Sequence, residues 1–255
     1  TVCVAEERMT AIPQLLQKMP DLDIILLDDA FQHRTVKPGL SILLTDYQRL
    51  YTRDHIMPFG LLREGKASAA RADIIIVTKC PGKLSQTEKE QLAEELAPLP
   101  HQSLYFSSID YLPVYPALDV DTKWVKENAV LLVCGIANPD PLIARLKKES
   151  AKVYELLFKD HHYFTEDDID EIIETFGNIP ESKKVLVTTE KDATRLMLHK
   201  KMLQNAKIPV FIQPIGTHFL FEEGDRFKQQ ILEFIHSIIP PSVDYDVIDA
   251  EEINV

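Results

Sequence analysis

Short apolar runs of strand length alternate with amphipathic segments along almost the whole chain, and that alternation leaves few folds open. In the first half the runs fall at residues 24–27, 41–44, 74–77 and 104–106. Helical patterns separate them: residues 10–19 place Ile12, Leu15, Leu16 and Met19 on one face, and SQTE from Ser85 has capping-box spacing. In the second half, runs at 130–133, 153–158, 185–188 and 210–213 alternate with helical patterns at 141–148, 166–176, 192–203 and 225–238. Strands separated by helices of this length pair in parallel and carry helices on both faces. Between the halves, LPVYPALDVDTKWVKEN loses periodicity and contains Pro113 and Pro116, which marks a junction. The expectation is an α/β chain of two parallel-sheet domains, Rossmann-like or P-loop-like, with helices on both faces. Residues 1–115 form the first, 116–128 a linker, 129–240 the second and 241–255 an acidic peripheral tail.

With 45% hydrophobic residues, 255 positions are enough for two cores, and no apolar run is long enough to cross a bilayer. A net charge of −12 opposes adhesion to nucleic acid, so no nucleic-acid partner is expected, and a small anionic substrate would need local Arg, Lys or metal. Cys3, Cys80 and Cys134 are far apart and lack CxxC spacing, which argues against both a disulfide framework and a zinc site. Cys80 and Cys134 close apolar runs and read as small buried hydrophobes. The chain opens on Thr1 and enters the apolar run VCVA directly, so the first domain is expected to be truncated at its front.

The richest stretch is DIILLDDAFQHR, residues 23–34. Its apolar run reads as a buried strand closing on Asp28 and Asp29. Ligands of open parallel sheets sit beyond the carboxyl ends of strands, and paired acids there suit a divalent cation. Two acids alone would more simply make a polar turn. The addition of Gln32, His33 and Arg34 puts a neutral donor, a titratable ring and a guanidinium into the same turn, more chemistry than a turn requires.

DDAFQHR resembles the DDGxQH signature of the tetraacyldisaccharide 4'-kinases, the lipid A 4'-kinase family. Further matches follow in the same order: PFGLLRE at 58–64, RADIIIVTK at 71–79, CGIANP at 134–139, DHHYF at 160–164 and TTEKDA at 188–193. The family's usual LPAGPLREP is altered here by Phe59, Leu61 and Gly65, while the Arg and Glu are kept. The resemblance implies that residues 1–115 are the remainder of a P-loop kinase core. It implies that Asp28, Asp29 and Glu64 hold Mg2+, that Arg63 neutralises charge on the transferred phosphoryl group, and that Gln32, His33 and Arg34 line the acceptor cleft. It also implies that His161 belongs to a base dyad whose aspartate lies in a GDE motif ahead of Thr1. An imidazole with a reference pKa of about 6.5 suits that task.

Other motifs weigh less. GLLREGK at 60–66 has the spacing of a phosphate-binding loop, but Ala67 replaces the hydroxyl residue, no convincing strand precedes it, and Glu64 would face phosphate. It is rejected as an ATP loop, so the residues binding nucleotide are unknown. TTEKDA is explained by capping, with Thr189 as the cap and Glu190 and Asp192 in the first turn. CGIANP reads as a tight turn at Gly135 and a helix start near Pro139.

The function implied by the resemblance is transfer of a phosphoryl group from ATP, with Mg2+, to the 4'-hydroxyl of a tetraacyldisaccharide 1-phosphate. The whole enzyme would work on the cytoplasmic side of the bacterial inner membrane, in peripheral contact with it; oligomeric state is not legible. Residues 1–255 alone are expected to lack kinase activity for want of a phosphate cradle. Two other classes fit the residues: a stand-alone magnesium-dependent phosphohydrolase using Asp28, Asp29 and His33 to activate water, and a non-catalytic nucleotide-binding module.

Overall fold

The computed structural model describes residues 1–118 and 122–238. The chain divides into two compact units, Thr1–Ile109 with the chain from Thr217 onward, and Asp110–Gly216. The expected tail, 241–255, and residues 119–121 of the expected linker lie outside the described residues.

The first unit begins with α1 (Arg8–Lys18), none of whose residues is buried. Three parallel strands follow, β1 (Ile42–Asp46), β2 (Ile74–Thr78) and β3 (Ser103–Tyr111), with α2 (Gln86–Leu96) between the last two. β2 lies between its neighbours with Ile74 paired to Ile42 on one side and Ser103 on the other. A strand covered on both faces can be apolar without interruption, and residues 74–77 are all buried. Ser85 caps α2 reciprocally with Glu88, as the SQTE spacing predicts.

One expected strand is absent. Residues 24–27 form no strand; Leu26 is 92% exposed and Ile24 45%. An apolar run favours an extended backbone, but a strand also needs a ladder partner, and β1, at the end of its sheet, pairs with β2 alone.

The second unit contains β4 (Tyr115–Pro116), β5 (Ala129–Cys134), α3 (Asp140–Glu149), β6 (Lys152–Leu157), α4 (Glu166–Asn178), β7 (Lys184–Thr189), α5 (Glu190–Leu196), α6 (Lys200–Asn205) and β8 (Val210–Gln213). Strand order is β4-β8-β7-β5-β6, parallel except for the short edge strand β4. Alternation along the strands separates two cores. Leu131, Val133, Leu186 and Val210 pack with Ile169 and Ile172 of α4, Leu196 and Leu203; Val130, Leu132, Val185 and Val187 pack with Leu142, Ile143 and Leu146 of α3. The helix expected over 192–203 is interrupted by a 3-10 turn at Met197–His199.

The chain re-enters the first unit through β9 (Ile215–Phe219), beside β3, and ends its described part in α7 (Gly224–Ile238). Phe219, Phe227 and Ile231 pack on Ile74, Ile76 and Tyr105, while α2 covers the opposite face through Leu92 and Leu96 near Val77 and Phe106. The expected second domain, 129–240, therefore differs from the compact unit: residues 217–238 go with the first sheet, because the apolar stripe of α7 covers a face that would otherwise meet water.

Candidate functional site

Asp28 and Asp29 lie in a turn, and Asp29 has φ +46°. Non-glycine residues adopt that left-handed region at a cost, and Asp is among the few that bear it readily. The Arg63 guanidinium grips both carboxylate oxygens of Asp29, with one contact, Nη1 to Oδ2, at 3.2 Å. That hydrogen bond holds the Asp29 carboxyl below its usual range, against the opposing effect of burial and with help from the charges of Arg63, Arg8 and His33. Both partners are more than half exposed, so the pair does little for stability.

A second arginine braces the adjacent acid. Arg71 donates to Glu64 Oε2 at 2.7 Å, donates to the Phe31 carbonyl at 3.0 Å, and lies 4.8 Å from the centre of the Phe31 ring. The loop carrying Asp29 and the loop carrying Arg63 and Glu64 are thus joined twice. Arg8 ties α1 to the first of these loops alone, through the Asp28 carbonyl at 3.1 Å and the His33 ring at 2.8 Å. Gln32 carries a buried Oε1 without a hydrogen-bond partner, while the side chain of Arg34 is exposed. Asp29, Arg63, Glu64 and His33 are therefore brought into one network, with Arg8 and Arg71 as members that residue type and spacing did not single out. Arg71 stood in a quoted motif; its signal was a basic residue just ahead of a buried strand.

Among the described residues, no group of three or more His, Cys, Asp or Glu side chains is gathered closely enough to cage a metal. Asp28, Asp29 and Glu64 are not assembled as a triad; two of them hold arginines instead. Their hard carboxylate oxygens still fit magnesium, which keeps several waters and needs only one or two carboxylates beside substrate phosphate. The segment 60–66 has neither a strand before it nor an α-helix after it, running instead into a 3-10 turn at Lys66–Arg71.

In the second unit His161 follows β6, also in the left-handed region at φ +62°. Its backbone N–H donates to the Gly135 carbonyl at 3.2 Å. Lys191 Nζ lies 2.9 Å from Asp160 Oδ1 and 3.2 Å from His161 Nε2, so TTEKDA contributes a cation to this cluster as well as a cap. The Lys191 contact depresses the Asp160 carboxyl. His162 is engaged elsewhere, bonded to Asp168 at 2.9 Å and stacked on Phe158. Asp192, fully buried, accepts the Gly135 N–H at 3.0 Å and the Thr189 hydroxyl at 2.8 Å. Gly135 has to be glycine here, because a Cβ would sit 2.7 Å from the Lys159 carbonyl oxygen.

Comparison with known proteins adds a family. The model described as tetraacyldisaccharide-1-P 4'-kinase matches residues 1–236. A tetraacyldisaccharide 4'-kinase of Bacteroides thetaiotaomicron is 42% identical over 92% of this chain and 65% of its own length. One from Flavobacterium johnsoniae is 36% identical over 94% of this chain and 67% of its own. The chain thus spans about two-thirds of the curated relatives it matches. The crystal structure of an "apo" form of LpxK from Aquifex aeolicus in complex with ATP has the same fold, with a TM-score of 0.60 at 20% identity over 91% of this chain and 64% of that one.

Proposed function

The chain belongs to the tetraacyldisaccharide-1-phosphate 4'-kinase family, and on that footing we propose that the natural protein phosphorylates the 4'-hydroxyl of a tetraacyldisaccharide 1-phosphate with ATP. The observation that carries the reading is the joint network of Asp29, Arg63, Glu64 and Arg71, which places two acids and two guanidinium groups on adjoining loops. Phosphoryl transfer asks a protein for positioning and for compensation of charge rather than covalent chemistry. Arg63 supplies positive charge toward the transferred group. Its pairing with Asp29 orients it before substrate arrives, which lowers the reorganisation needed during reaction.

Asp28, Asp29 and Glu64 supply oxygen donors for magnesium, which when bound screens the negative charge of the phosphates. Arg71 keeps Glu64 in place. Gln32, with its unpaired buried oxygen, together with His33 and Arg34, offers polar contacts to a sugar or phosphate. His161 takes part in drawing the proton from the acceptor hydroxyl, steered by the neighbouring Lys191 and Asp160. On this reading the working enzyme meets its lipid acceptor at the cytoplasmic face of the bacterial inner membrane, in peripheral contact with it. No helix among the described residues is long and apolar enough to cross a membrane.

The test is direct. The natural-length protein, given ATP labelled on its γ-phosphate and the acylated disaccharide 1-phosphate in detergent micelles, is expected to produce a labelled 4'-phosphate. Release of label to water without transfer to lipid would replace the kinase reading with hydrolysis.

A further inference from the structure

The His161 side chain is 69% exposed, yet its surroundings give the ring a definite orientation and its proton a definite place. The His161 backbone N–H is anchored on the Gly135 carbonyl at 3.2 Å. The ring meets Lys191, whose Nζ lies 3.2 Å from Nε2. Both grips come from one turn of α5, because Asp192, next to Lys191, accepts the Gly135 N–H at 3.0 Å. The Thr189 hydroxyl caps that turn by accepting the Asp192 N–H at 3.1 Å, so Lys191 is presented by ordered helical backbone.

The chemistry of the contact settles which ring nitrogen carries the proton. A lysine ammonium has three donors and no acceptor, so the nitrogen facing it has to offer a lone pair. In neutral imidazole that leaves the proton on Nδ1. A direct pair between Asp160 and His161 would reverse the tautomer by drawing a proton onto Nε2. Asp160 Oδ2, however, is 3.8 Å from Nε2, beyond hydrogen-bond reach, while its Oδ1 lies 2.9 Å from Lys191 Nζ. The acid therefore reaches the ring through the lysine.

We propose that Lys191 is a positioning residue for proton transfer: held by Asp160, its ammonium selects the His161 tautomer whose Nε2 lone pair is available to the acceptor hydroxyl. The inference rests on the proposed kinase reading, which makes His161 the proton acceptor, and adds the group that prepares it. When the hydroxyl takes the place of the ammonium at Nε2, its O–H bond breaks toward that nitrogen. The oxygen keeps the electron pair and uses it to bond the γ-phosphorus, and the bond from phosphorus to ADP breaks with its pair leaving on ADP. The imidazolium so formed has the Asp160 carboxylate as its counter-charge, and the displaced ammonium, still beside Asp160, can donate to a phosphate oxygen.

The experiment uses the natural-length protein with the heavy nitrogen isotope in its histidine rings, without nucleotide or acceptor, at about pH 8, well above the reference imidazole value of about 6.5. Long-range proton–nitrogen correlation spectra show which ring nitrogen carries the proton, and His161→Gln identifies the resonances. The parent protein is expected to show a protonated Nδ1 and a bare Nε2 at His161, Lys191→Arg the same, and Lys191→Met a pattern shifted toward a protonated Nε2. With ATP and detergent-dispersed acceptor, Lys191→Met is expected to lower kcat about tenfold or more while KM for either substrate changes less than about threefold, and Lys191→Arg to recover most of that loss. Melting temperatures are expected to stay together, because the Lys191 pair with Asp160 is partly exposed. A proton on Nε2 in the parent, a tautomer indifferent to Lys191→Met, or an undiminished kcat in that variant overturns the proposal. A fall in kcat accompanied by a fall in melting temperature overturns it in favour of a structural role. Absence of turnover by the parent protein counts against the kinase reading, and the tautomer spectra still decide whether Lys191 sets the proton on His161.

Discussion

Asp192 ties the second unit together at the point where its strands end, and two substitutions separate the ways it could do so. Its carboxylate is fully buried and accepts the Gly135 N–H at 3.0 Å and the Thr189 hydroxyl at 2.8 Å through Oδ2, while Oδ1 has no hydrogen-bond partner and lies 3.9 Å from Arg195. Hydrogen bonds to a charged acceptor contribute about 1.5–3 kcal/mol each, and a stranded buried donor costs a similar amount. Asp192→Ala removes both bonds and strands the Gly135 amide, so a loss of about 3 kcal/mol is expected. Asp192→Asn keeps an acceptor oxygen in the Oδ2 position and sets its amide where Oδ1 now lacks a partner, so the expected loss is only about 1 kcal/mol. Trp124 is the single tryptophan of the chain and packs against Phe211 in the second unit, so its fluorescence reports that unit during urea unfolding. At a slope of about 1.5 kcal/mol/M the midpoint should fall by roughly 2 M for Ala and 0.7 M for Asn. Equal shifts for the two would refute the reasoning, because the charge, felt by Arg195, would then matter more than the acceptor geometry. The effect should reach His161 as well, whose N–H is anchored on the Gly135 carbonyl.

Arg63→Ala should change stability by about 0.5 kcal/mol or less, since its pair with Asp29 is largely exposed, yet lower phosphoryl transfer by the natural-length protein by about 10²–10³-fold; urea unfolding and the labelled-ATP assay read the two separately. Burial works to raise the Asp168 carboxyl, but bonds from the Thr165 amide, the His162 ring and the Thr165 hydroxyl prevail and hold it below its ordinary value. The stability it adds is therefore complete above about pH 4 and lost as pH falls through the depressed folded value, so the advantage of the parent over Asp168→Ala should shrink between about pH 5 and pH 2 in urea midpoints. Burial raises the Cys80 thiol to about 11 and the Cys134 thiol to about 12, while Cys3 is exposed. Within residues 1–255, iodoacetamide at about pH 8 should label Cys3 alone in the folded state and all three in urea; mass spectrometry of peptides checks it.

The central strands were legible because burial on both faces writes itself into sequence: residues 74–77 and 130–133 are apolar throughout and lie where expected. Capping was legible at Ser85 and Thr189, whose hydroxyls accept the backbone N–H of the acidic residue three positions on, Glu88 and Asp192. The run at 24–27 misled, since apolarity reports a preference for extension and says nothing of a ladder partner. Assignment of β9 and α7 to the first sheet was invisible as well, because it depends on a stripe of α7 finding Ile74 and Tyr105 far away in sequence. Around the candidate residues, type and order singled out Asp29, Arg63 and Glu64 in the first unit and His161 in the second, but not the partners that hold them. Arg71, Arg8 and Lys191 are each more than six residues from the group they engage, and ionic pairing over such separations leaves no local pattern.

The claim on which the rest stands is that the acids beside Arg63 serve a magnesium-dependent transfer. Titrating magnesium into the natural-length protein at saturating ATP and acceptor measures it, with Asp29→Asn and Glu64→Gln against Glu95→Gln, an acid paired with Arg53 elsewhere in the first unit. Each of the first two substitutions should raise the half-activating magnesium concentration about tenfold or more or abolish turnover, and Glu95→Gln should leave the curve in place. Superimposable magnesium curves for Asp29→Asn, Glu64→Gln and the parent protein would contradict the account.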